Sequence, residues 1–437
     1  MALLSPATVS SRPLLSLAAA FAAWKTFLLA VALAAAAAPD YDTSTAVFFD
    51  AVYGPAAAAR PPPPALAARL TRWDALYFVA SAHRGYVYEQ EWAFAAGLPA
   101  LVRAVGRVLG AGSGVIWEPG VAIALAHASH LGAVLALHQL TVVVCGDRRL
   151  AFVAAAVHVL SPAGLFLSAP YAESPFACLS FVGNLLFALG FKAAPDSLRR
   201  NAAVVAAGAV FGLATTFRSN GLFGGLLFAV EAVRCFLSFV ASPGFARLLR
   251  LVAPVLGGLF VAAGTVIPQA VAWVRYCGAN APEADRRPWC SHLIPSIYTF
   301  VQAEYWNVGF LKYWTPNQIP MFLLAAPMLT VLIESGIDLL QEPSQGRRLL
   351  GPAAGEQYRT FVRTLAATQI LLAVLAITNY HVQVISRLSS AYPVWYWWVA
   401  SCLMDKKRQS WGYGITVFII MYASVQGGLF ASFLPPA

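Results

Sequence analysis

The chain contains 437 residues, of which 59% are hydrophobic and 11% are charged, with a formal net charge of +10. A soluble domain typically carries about 25% charged residues, so the charges are too few to cover a water-facing surface, and lipid must cover much of it. The basic residues lie in short clusters between apolar runs rather than in a patch with interleaved aromatic residues, which excludes nucleic acid as a partner. The composition predicts an all-α polytopic membrane protein.

Eleven apolar runs approach the roughly 20 residues that a membrane-spanning helix needs. They lie near residues 14–38, 119–144, 150–168, 175–192, 202–218, 221–241, 251–275, 318–335, 362–379, 390–404 and 412–433. The first run exceeds the ~7–15-residue core of a signal peptide. It predicts an anchor that stays in the protein, with a cleaved targeting segment as the alternative.

The loops between these runs differ in charge. Loops 145–149, 193–200, 242–250, 336–361 and 405–411, with the adjoining span ends, hold fifteen basic and seven acidic residues, whereas the other set is close to neutral. By the positive-inside rule the basic set is cytoplasmic, and the N-terminus with it. Loops 39–118, 169–174, 218–220, 276–317 and 380–389 and the C-terminus are then predicted to be lumenal.

The first predicted lumenal loop, 39–118, has an organisation of its own. Residues 56–64 are Ala and Pro apart from Arg60, and such low complexity is typical of an irregular linker. Helical spacing returns over 73–88, and the stretch 92–109 is too short and too charged to span a membrane. Arg103 and Arg107 lie on one face of that stretch with apolar residues around the rest, which predicts an interfacial helix.

Three carboxylates of this loop are candidates for chemistry. Asp74 follows Trp73 and precedes a helical run among aromatic residues. It fits either a general base tuned by apolar walls or a helix N-cap, and residue chemistry alone favours the cap. Glu89 and Glu91 lie two residues apart and fit either acid–base work and sugar hydroxyls or a solvated stretch, which the spacing alone favours.

Three further predicted lumenal segments carry isolated polar groups. Glu173 lies in a Pro-broken turn that fits either a cavity wall or a tight turn capped at its neighbouring Ser. Arg218, two residues before Asn220, fits a phosphate or a snorkelling arginine. His381 and Arg387 also fit a phosphate, although a single histidine at the end of a span is more often structural.

The second large predicted lumenal loop, 276–317, mixes aromatic residues with amides and charges. Trp289, Gln302 and Trp306 suit a sugar site, which needs flat faces and hydrogen-bonding groups, and an interfacial aromatic belt is the alternative. Cys277 and Cys290 share this loop and would form a disulfide if it is lumenal and the thiols meet. Six separate segments thus place polar groups on one side, which predicts a single lumenal site at the membrane edge.

The same segments resemble the GPI mannosyltransferase 2 family, in order along nearly the whole chain. The motifs are Trp73-Asp74-Ala75-Leu76-Tyr77-Phe78, Tyr171-Ala172-Glu173-Ser174, Phe217-Arg218-Ser219-Asn220-Gly221, Arg287-Pro288-Trp289-Cys290, Tyr305-Trp306-Asn307-Val308-Gly309-Phe310 and His381-Val382-Gln383-Val384. The resemblance implies a GT-C-like multispan helical bundle over residues 1–437, in the endoplasmic reticulum membrane. Its large first lumenal loop would carry the interfacial helices.

The resemblance also implies a reaction. Dolichyl phosphate mannose would be the donor and a mannosyl-glucosaminyl-phosphatidylinositol lipid the acceptor, which gains its second mannose through an α-1,6 link. A β-linked donor and an α-linked product imply inversion in a single displacement. No metal or other cofactor is expected, and the need for a small accessory membrane subunit stays open.

Residue roles follow from the matched motifs. Asp74 matches the expected base, which raises it above the N-cap interpretation, while Glu89 and Glu91 stay open as alternative bases. The remaining substrate contacts would come from Trp73, Glu89, Glu91, Glu173, Arg218, Asn220, Trp289, Gln302, Trp306, His381 and Arg387. The alternatives are another mannosyltransferase that uses dolichyl phosphate mannose, a lipid or solute transporter, and a structural subunit of a larger complex.

Overall fold

The computed structural model describes residues 11–54, 63–110, 116–278, 287–341, 349–350 and 355–435. Residues 56–62 of the predicted linker and residues 342–348 and 351–354 of the predicted loop 336–361 lie outside them. The described helices are α1 (Pro13–Ala34), α2 (Ser44–Tyr53), α3 (Ala65–Leu70), α4 (Ala75–Arg84), α5 (Gly97–Val108), α6 (Glu118–Cys145), α7 (Arg148–Val159), α8 (Glu173–Gly190), α9 (Leu198–Phe217), α10 (Gly225–Ala241), α11 (Phe245–Cys277), α12 (Ile297–Tyr305), α13 (Ile319–Gln341), α14 (Glu356–Thr378), α15 (Ile385–Leu388), α16 (Pro393–Met404) and α17 (Gln409–Ala431).

Long apolar helices make up most of the described chain. Nine of them are long and apolar enough to cross a membrane: α1, α6, α8, α9, α10, α11, α13, α14 and α17. Short 3-10 turns join several of them, and the described residues form no strand. The predicted all-α polytopic membrane protein is therefore confirmed.

Two of the eleven predicted spans are short interior helices instead. The runs at 150–168 and 390–404 overlap α7 and α16, each of 12 residues and therefore ~18 Å long. Pro162 follows the end of α7, and Pro393 occupies the first turn of α16, where proline is tolerated. Most residues of both helices are buried, and their rings meet where His158 lies 5.0 Å from Tyr396. These runs are apolar because they fill the core.

Helices α9 and α11 pack with their backbones in close contact. A Cβ atom added at Gly208 would lie 2.3 Å from the Cα atom of Gly257, and one at Gly264 would lie 2.2 Å from the carbonyl oxygen of Gly212. Small residues of this kind let membrane helices approach closely. The contact brings the turn after α9 beside the second half of α11.

The first large loop folds into short helices against the ends of the long ones. The predicted interfacial helix at 92–109 corresponds to α5, which begins only at Gly97, after a separate 3-10 turn at Glu89–Ala93. Leu98 and Val102 of α5 are buried. Arg103 donates to the carbonyl oxygens of Ser81 and Ala82, so it closes the last turn of α4 rather than facing water.

Candidate active site

A cavity of about 760 Å³ lies where the large loops meet the ends of α9, α14 and α17. Each of the six segments singled out in the sequence contributes at least one residue to its wall. Among the predicted site residues, the wall includes Trp73, Asp74, Arg218, Asn220, Gln302, Trp306, His381 and Arg387. The structure thus brings together most of the residues that the sequence proposed for one site.

Asp74 faces the cavity and does not cap α4. Its backbone occupies the N-cap position, but its side chain accepts no hydrogen bond from the first turn of that helix. Its Oδ2 atom accepts instead from Nη1 of Arg387 at 3.1 Å, and 38% of the side chain is exposed. The N-cap interpretation, which residue chemistry alone favoured, is therefore wrong.

The residue before Asp74 has an unusual backbone. Trp73 adopts a φ of 54°, in the left-handed region that non-glycine residues rarely occupy. Its ring lies 4.9 Å from that of Phe433 at the end of the chain. Such conformations cost free energy and cluster at functional sites. Here the turn presents the Asp74 carboxylate to the cavity.

Glu173 joins the two arginines of the site. Its Oε1 atom accepts from Nη1 of Arg218 at 2.6 Å and lies 3.6 Å from Nε of Arg387. The Glu173 side chain is 1% exposed, against 19% for Arg218 and 14% for Arg387. Glu173 is therefore not part of the cavity wall, and its charge holds two like-charged guanidinium groups close together at that wall.

Arg387 lies between charges and aromatic rings. Its guanidinium carbon is 4.6 Å from the ring centre of Phe166 and 5.5 Å from that of Tyr171. Burial would lower the pKa of Arg387, but the charges of Asp74 and Glu173 outweigh it, so the pKa is raised above its usual value. The side chain is a permanent cation in a fixed plane.

His381 and Asn220 contribute mainly to the shape of the wall. Nε2 of His381 lies 2.9 Å from the carbonyl oxygen of Trp306, so this nitrogen is the donor, and the imidazole stacks on Tyr313 at 4.7 Å. Asn220 donates to the hydroxyl of Tyr392 at 3.2 Å and accepts from Nε of Arg218 at 3.4 Å. Both residues tie one loop to another.

Glu89, Glu91 and Trp289 do not line the cavity. Glu89 accepts from Arg287 at 2.5 and 2.9 Å, from Nε1 of Trp289 at 2.8 Å and from the hydroxyl of Tyr305 at 3.3 Å. Trp289 is fully buried. These contacts join the first large loop to the second.

Glu91 stabilises the turn in which it lies. Glu91 accepts from Arg84 at 2.6 Å and from the backbone amide of Val87 at 2.6 Å, so it closes its own turn.

Cys277 and Cys290 are joined in a disulfide with their Cα atoms 5.5 Å apart. The disulfide connects the end of α11 to the segment that carries the Glu89 contacts.

An uncharged polar part of the cavity wall was not predicted from the sequence. It comes from the end of α9, from α11 and from the start of α12, and its members are Thr215, Thr216, Thr265, Gln269, Ser296, Tyr298 and Thr299. Single threonines in apolar spans carry no signal of their own. Pro268 inside α11 was the available clue, because an interior proline frees backbone groups that often line cavities.

A family model described as mannosyltransferase (PIG-V) matches residues 22–437 of the chain. The chain belongs to this mannosyltransferase family. It is therefore a glycosyltransferase, and the cavity that gathers its charged residues at one end of the bundle is the candidate active site.

Named relatives match between three quarters and nearly all of the chain. GPI mannosyltransferase 2 of Gibberella zeae is 64% identical over 427 residues, covering 98% of each chain. The protein of the same name from Chaetomium globosum is 48% identical and covers 99% of this chain and 98% of its own. GPI alpha-1,6-mannosyltransferase 2 of Cricetulus griseus is 32% identical and covers 77% of this chain and 74% of its own.

Among solved structures, the similarity is distant. The oligosaccharyltransferase of Archaeoglobus fulgidus in its apo form has a TM-score of 0.44 at 14% identity, covering 95% of this chain and 56% of that chain.

Proposed function

We propose that the chain transfers the second mannose of the GPI anchor, through an α-1,6 link, from dolichyl phosphate mannose to a mannosyl-glucosaminyl-phosphatidylinositol lipid. Its family and its relatives support mannose transfer in GPI assembly. The observation that carries the proposal within this chain is the meeting of the Asp74 carboxylate with the guanidinium groups of Arg387 and Arg218 at one cavity.

Asp74 is the proposed general base. An inverting transfer needs one displacement, in which the acceptor 6-hydroxyl oxygen bonds to the mannose anomeric carbon as the bond from that carbon to the phosphate oxygen breaks. A carboxylate takes the hydroxyl proton in that step, as it does for water in inverting glycosidases. Asp74 is exposed to the cavity, and its hydrogen bond from Arg387 orients it.

Arg387 and Arg218 are the proposed partners of the departing dolichyl phosphate. Guanidinium groups bind phosphate oxygens in a planar, two-pronged geometry. Both side chains reach the cavity wall, and the same oxygen of Glu173 holds them. Because the two guanidinium groups can donate to the phosphate oxygens as their charge develops, the proposal calls for no metal ion or other cofactor.

The proposal also includes a location. We place the cavity on the lumenal side of the endoplasmic reticulum membrane and the N-terminus in the cytoplasm. We assign the helical bundle to the GT-C class. The charge bias of the loops supports this orientation, and the disulfide between Cys277 and Cys290 fits an oxidising compartment. Glycosylation acceptor sites inserted into 276–317 and 336–361 test it: only the first should be modified.

Loss of the protein from cells tests the function. We expect a GPI intermediate with one mannose to accumulate, as measured by mass spectrometry of lipid extracts, and the wild-type chain to remove it. N-glycan precursors and protein O-mannose serve as controls and should not change. An unchanged GPI lipid profile would overturn the proposal, and a change confined to the controls would favour another mannosyltransferase that uses dolichyl phosphate mannose.

A further inference from the structure

A buried lysine lies in the first membrane helix, outside the cavity wall. Lys25 is near the middle of α1 and is 4% exposed. Its Nζ atom donates to the carbonyl oxygen of Leu167 at 2.9 Å and to the hydroxyl of Ser168 at 2.7 Å. It also lies 5.5 Å from the ring centre of Phe21. An ammonium group has three donors, and these contacts give it two acceptors and an aromatic face.

This lysine is costly to keep. Ionisable groups inside membrane segments are expensive and usually functional, and no carboxylate of the described residues forms an ion pair with Lys25. A methionine would fill the same volume without the cost of desolvating a charge. The hydrogen bonds of Lys25, rather than its volume, must therefore explain why a lysine occupies this position.

Its partners belong to an irregular segment that is buried throughout. Residues 161–172 link α7 to α8 through a 3-10 turn at Gly164–Leu167, and all of them are buried. Backbone that leaves helical geometry inside a membrane bundle needs donors from neighbouring elements. Lys25 supplies one from α1.

The same segment supports the arginine of the active site. Phe166 lies beneath the guanidinium group of Arg387. The Leu167 carbonyl that accepts from Lys25 also accepts from the hydroxyl of Ser174 at 3.0 Å, and Ser174 follows Glu173, which contacts Arg387. The Leu167 carbonyl oxygen thus links Lys25 to the two residues that support Arg387. Phe166 precedes Leu167 in the chain, and Glu173 precedes Ser174.

We propose that Lys25 is a positioning residue for mannose transfer: it fixes the 161–172 segment so that Phe166 and Glu173 hold Arg387 at the cavity wall. This inference rests on the proposed function. Lys25 touches no substrate in this scheme. It acts through the Leu167 carbonyl and the Ser168 hydroxyl, and removing it should change the rate of the bound reaction more than the binding of the donor.

The test compares Lys25→Met with Thr26→Val in detergent-solubilised full-length enzyme, using dolichyl phosphate mannose and a synthetic one-mannose acceptor. Thr26 is the matched control because it adjoins Lys25, is exposed and bonds only within its own helix. Displacements of about 1 Å can cost ~10²-fold in rate. We expect Lys25→Met to lower kcat by at least ~10-fold, to change KM for the donor by less than about 2-fold and to leave the thermal unfolding midpoint at or above that of the wild type.

Two further variants keep the inference falsifiable. Lys25→Gln retains two donors on a shorter stem and should recover part of the lost kcat. Ser168→Ala removes one acceptor without removing the charge and should lower kcat a few-fold, even if Lys25→Met fails to accumulate. In the double variant with Lys25→Met, Ser168→Ala should add little.

Several results would overturn the inference. These are a kcat for Lys25→Met equal to that of Thr26→Val, a loss of activity that only follows a loss of folded protein, or an unaffected Ser168→Ala where Lys25→Met cannot be purified. A wild-type enzyme that transfers no mannose in detergent or in the cell membranes from which it was purified would overturn the proposed function itself. An active wild type beside a fully active Lys25→Met would overturn this inference alone.

Discussion

Two of the carboxylates on the first large loop, Asp74 and Glu89, each pair with an arginine from a distant segment, and each belongs to a separate cluster. The cavity cluster consists of Asp74, Glu173, Arg218 and Arg387, and the clamp cluster consists of Glu89, Arg287, Trp289 and Tyr305. The Asp74 side chain is 38% exposed and meets Arg387, whereas Glu89 is 7% exposed and accepts from an arginine, a tryptophan and a tyrosine.

The two clusters differ in whether their carboxylate oxygens can still accept a hydrogen bond from a substrate. Glu89 has no free access to a substrate unless the contacts between the two loops break. Asp74 faces the cavity beside a fixed cation, so an incoming hydroxyl can reach it. We therefore expect substitutions in the cavity cluster to change turnover and substitutions in the clamp cluster to change stability.

The largest effect is expected for Asp74→Asn. An amide has nearly the same shape but cannot accept the proton, and loss of a general base costs typically 10²–10⁴-fold in rate. We expect kcat, measured by mannose transfer, to fall in that range. The amount of protein in the membrane, measured by quantitative blotting, should match that of the wild type. Asp50→Asn is the matched control, because Asp50 is exposed in the same loop. Retained activity in Asp74→Asn would remove Asp74 as the base.

Arg387→Lys should have the next largest effect. The two ends of the Arg387 guanidinium reach Asp74 and Glu173 while its plane lies over Phe166, and a compact ammonium cannot keep all three contacts. We expect kcat to fall about 10²-fold, which is the size of a misplaced catalytic contact. The exposed Arg107→Lys should behave as the wild type. Equal kcat values for the two variants would show that charge alone suffices at this position.

Glu173→Gln should lower kcat by about 10-fold, a smaller misplacement of the same kind. The neutral amide still occupies the space, but it no longer offsets the repulsion between Arg218 and Arg387. Because Glu173 also competes with phosphate for these arginines, KM for the donor should stay the same or fall. Steady-state kinetics separates the two constants, and a rise in KM with unchanged kcat would contradict a supporting role for Glu173.

The sequence predicted the architecture well where length and periodicity decide it. Nine of the eleven apolar runs coincide with long helices. The two exceptions, α7 and α16, are apolar for a different reason, because they are buried in protein rather than in lipid. Hydropathy measures removal from water and does not distinguish these two environments. Length and flanking prolines would have been the better guide.

The site was only partly predictable, for a related reason. Charged residues in apolar sequences stand out, so the cavity cluster could be gathered from distant segments. Hydrogen-bond partners across 198 residues, such as Arg287 for Glu89, leave no local pattern. The structure was therefore needed to show that Asp74 faces the cavity and that Glu89 does not. The same limit applies to Thr265 and Gln269, which look like ordinary span residues until α11 meets α9.

Glu89→Gln is the prediction that most directly separates the two clusters, and its effect on turnover should be the smallest. An amide cannot accept all the hydrogen bonds that Glu89 receives from Arg287, Trp289 and Tyr305, and an unsatisfied buried group costs about 1–3 kcal/mol. The thermal unfolding midpoint should fall, whereas kcat per folded molecule should stay within about 2-fold of the wild type, because a stability change away from the reacting atoms leaves the bound geometry intact. Glu304→Gln, an exposed change on the second large loop beside Tyr305, should alter neither quantity. A large loss of kcat in Glu89→Gln at an unchanged midpoint would place Glu89 back among the substrate contacts, and the distinction between a catalytic and a clamping carboxylate would then fail.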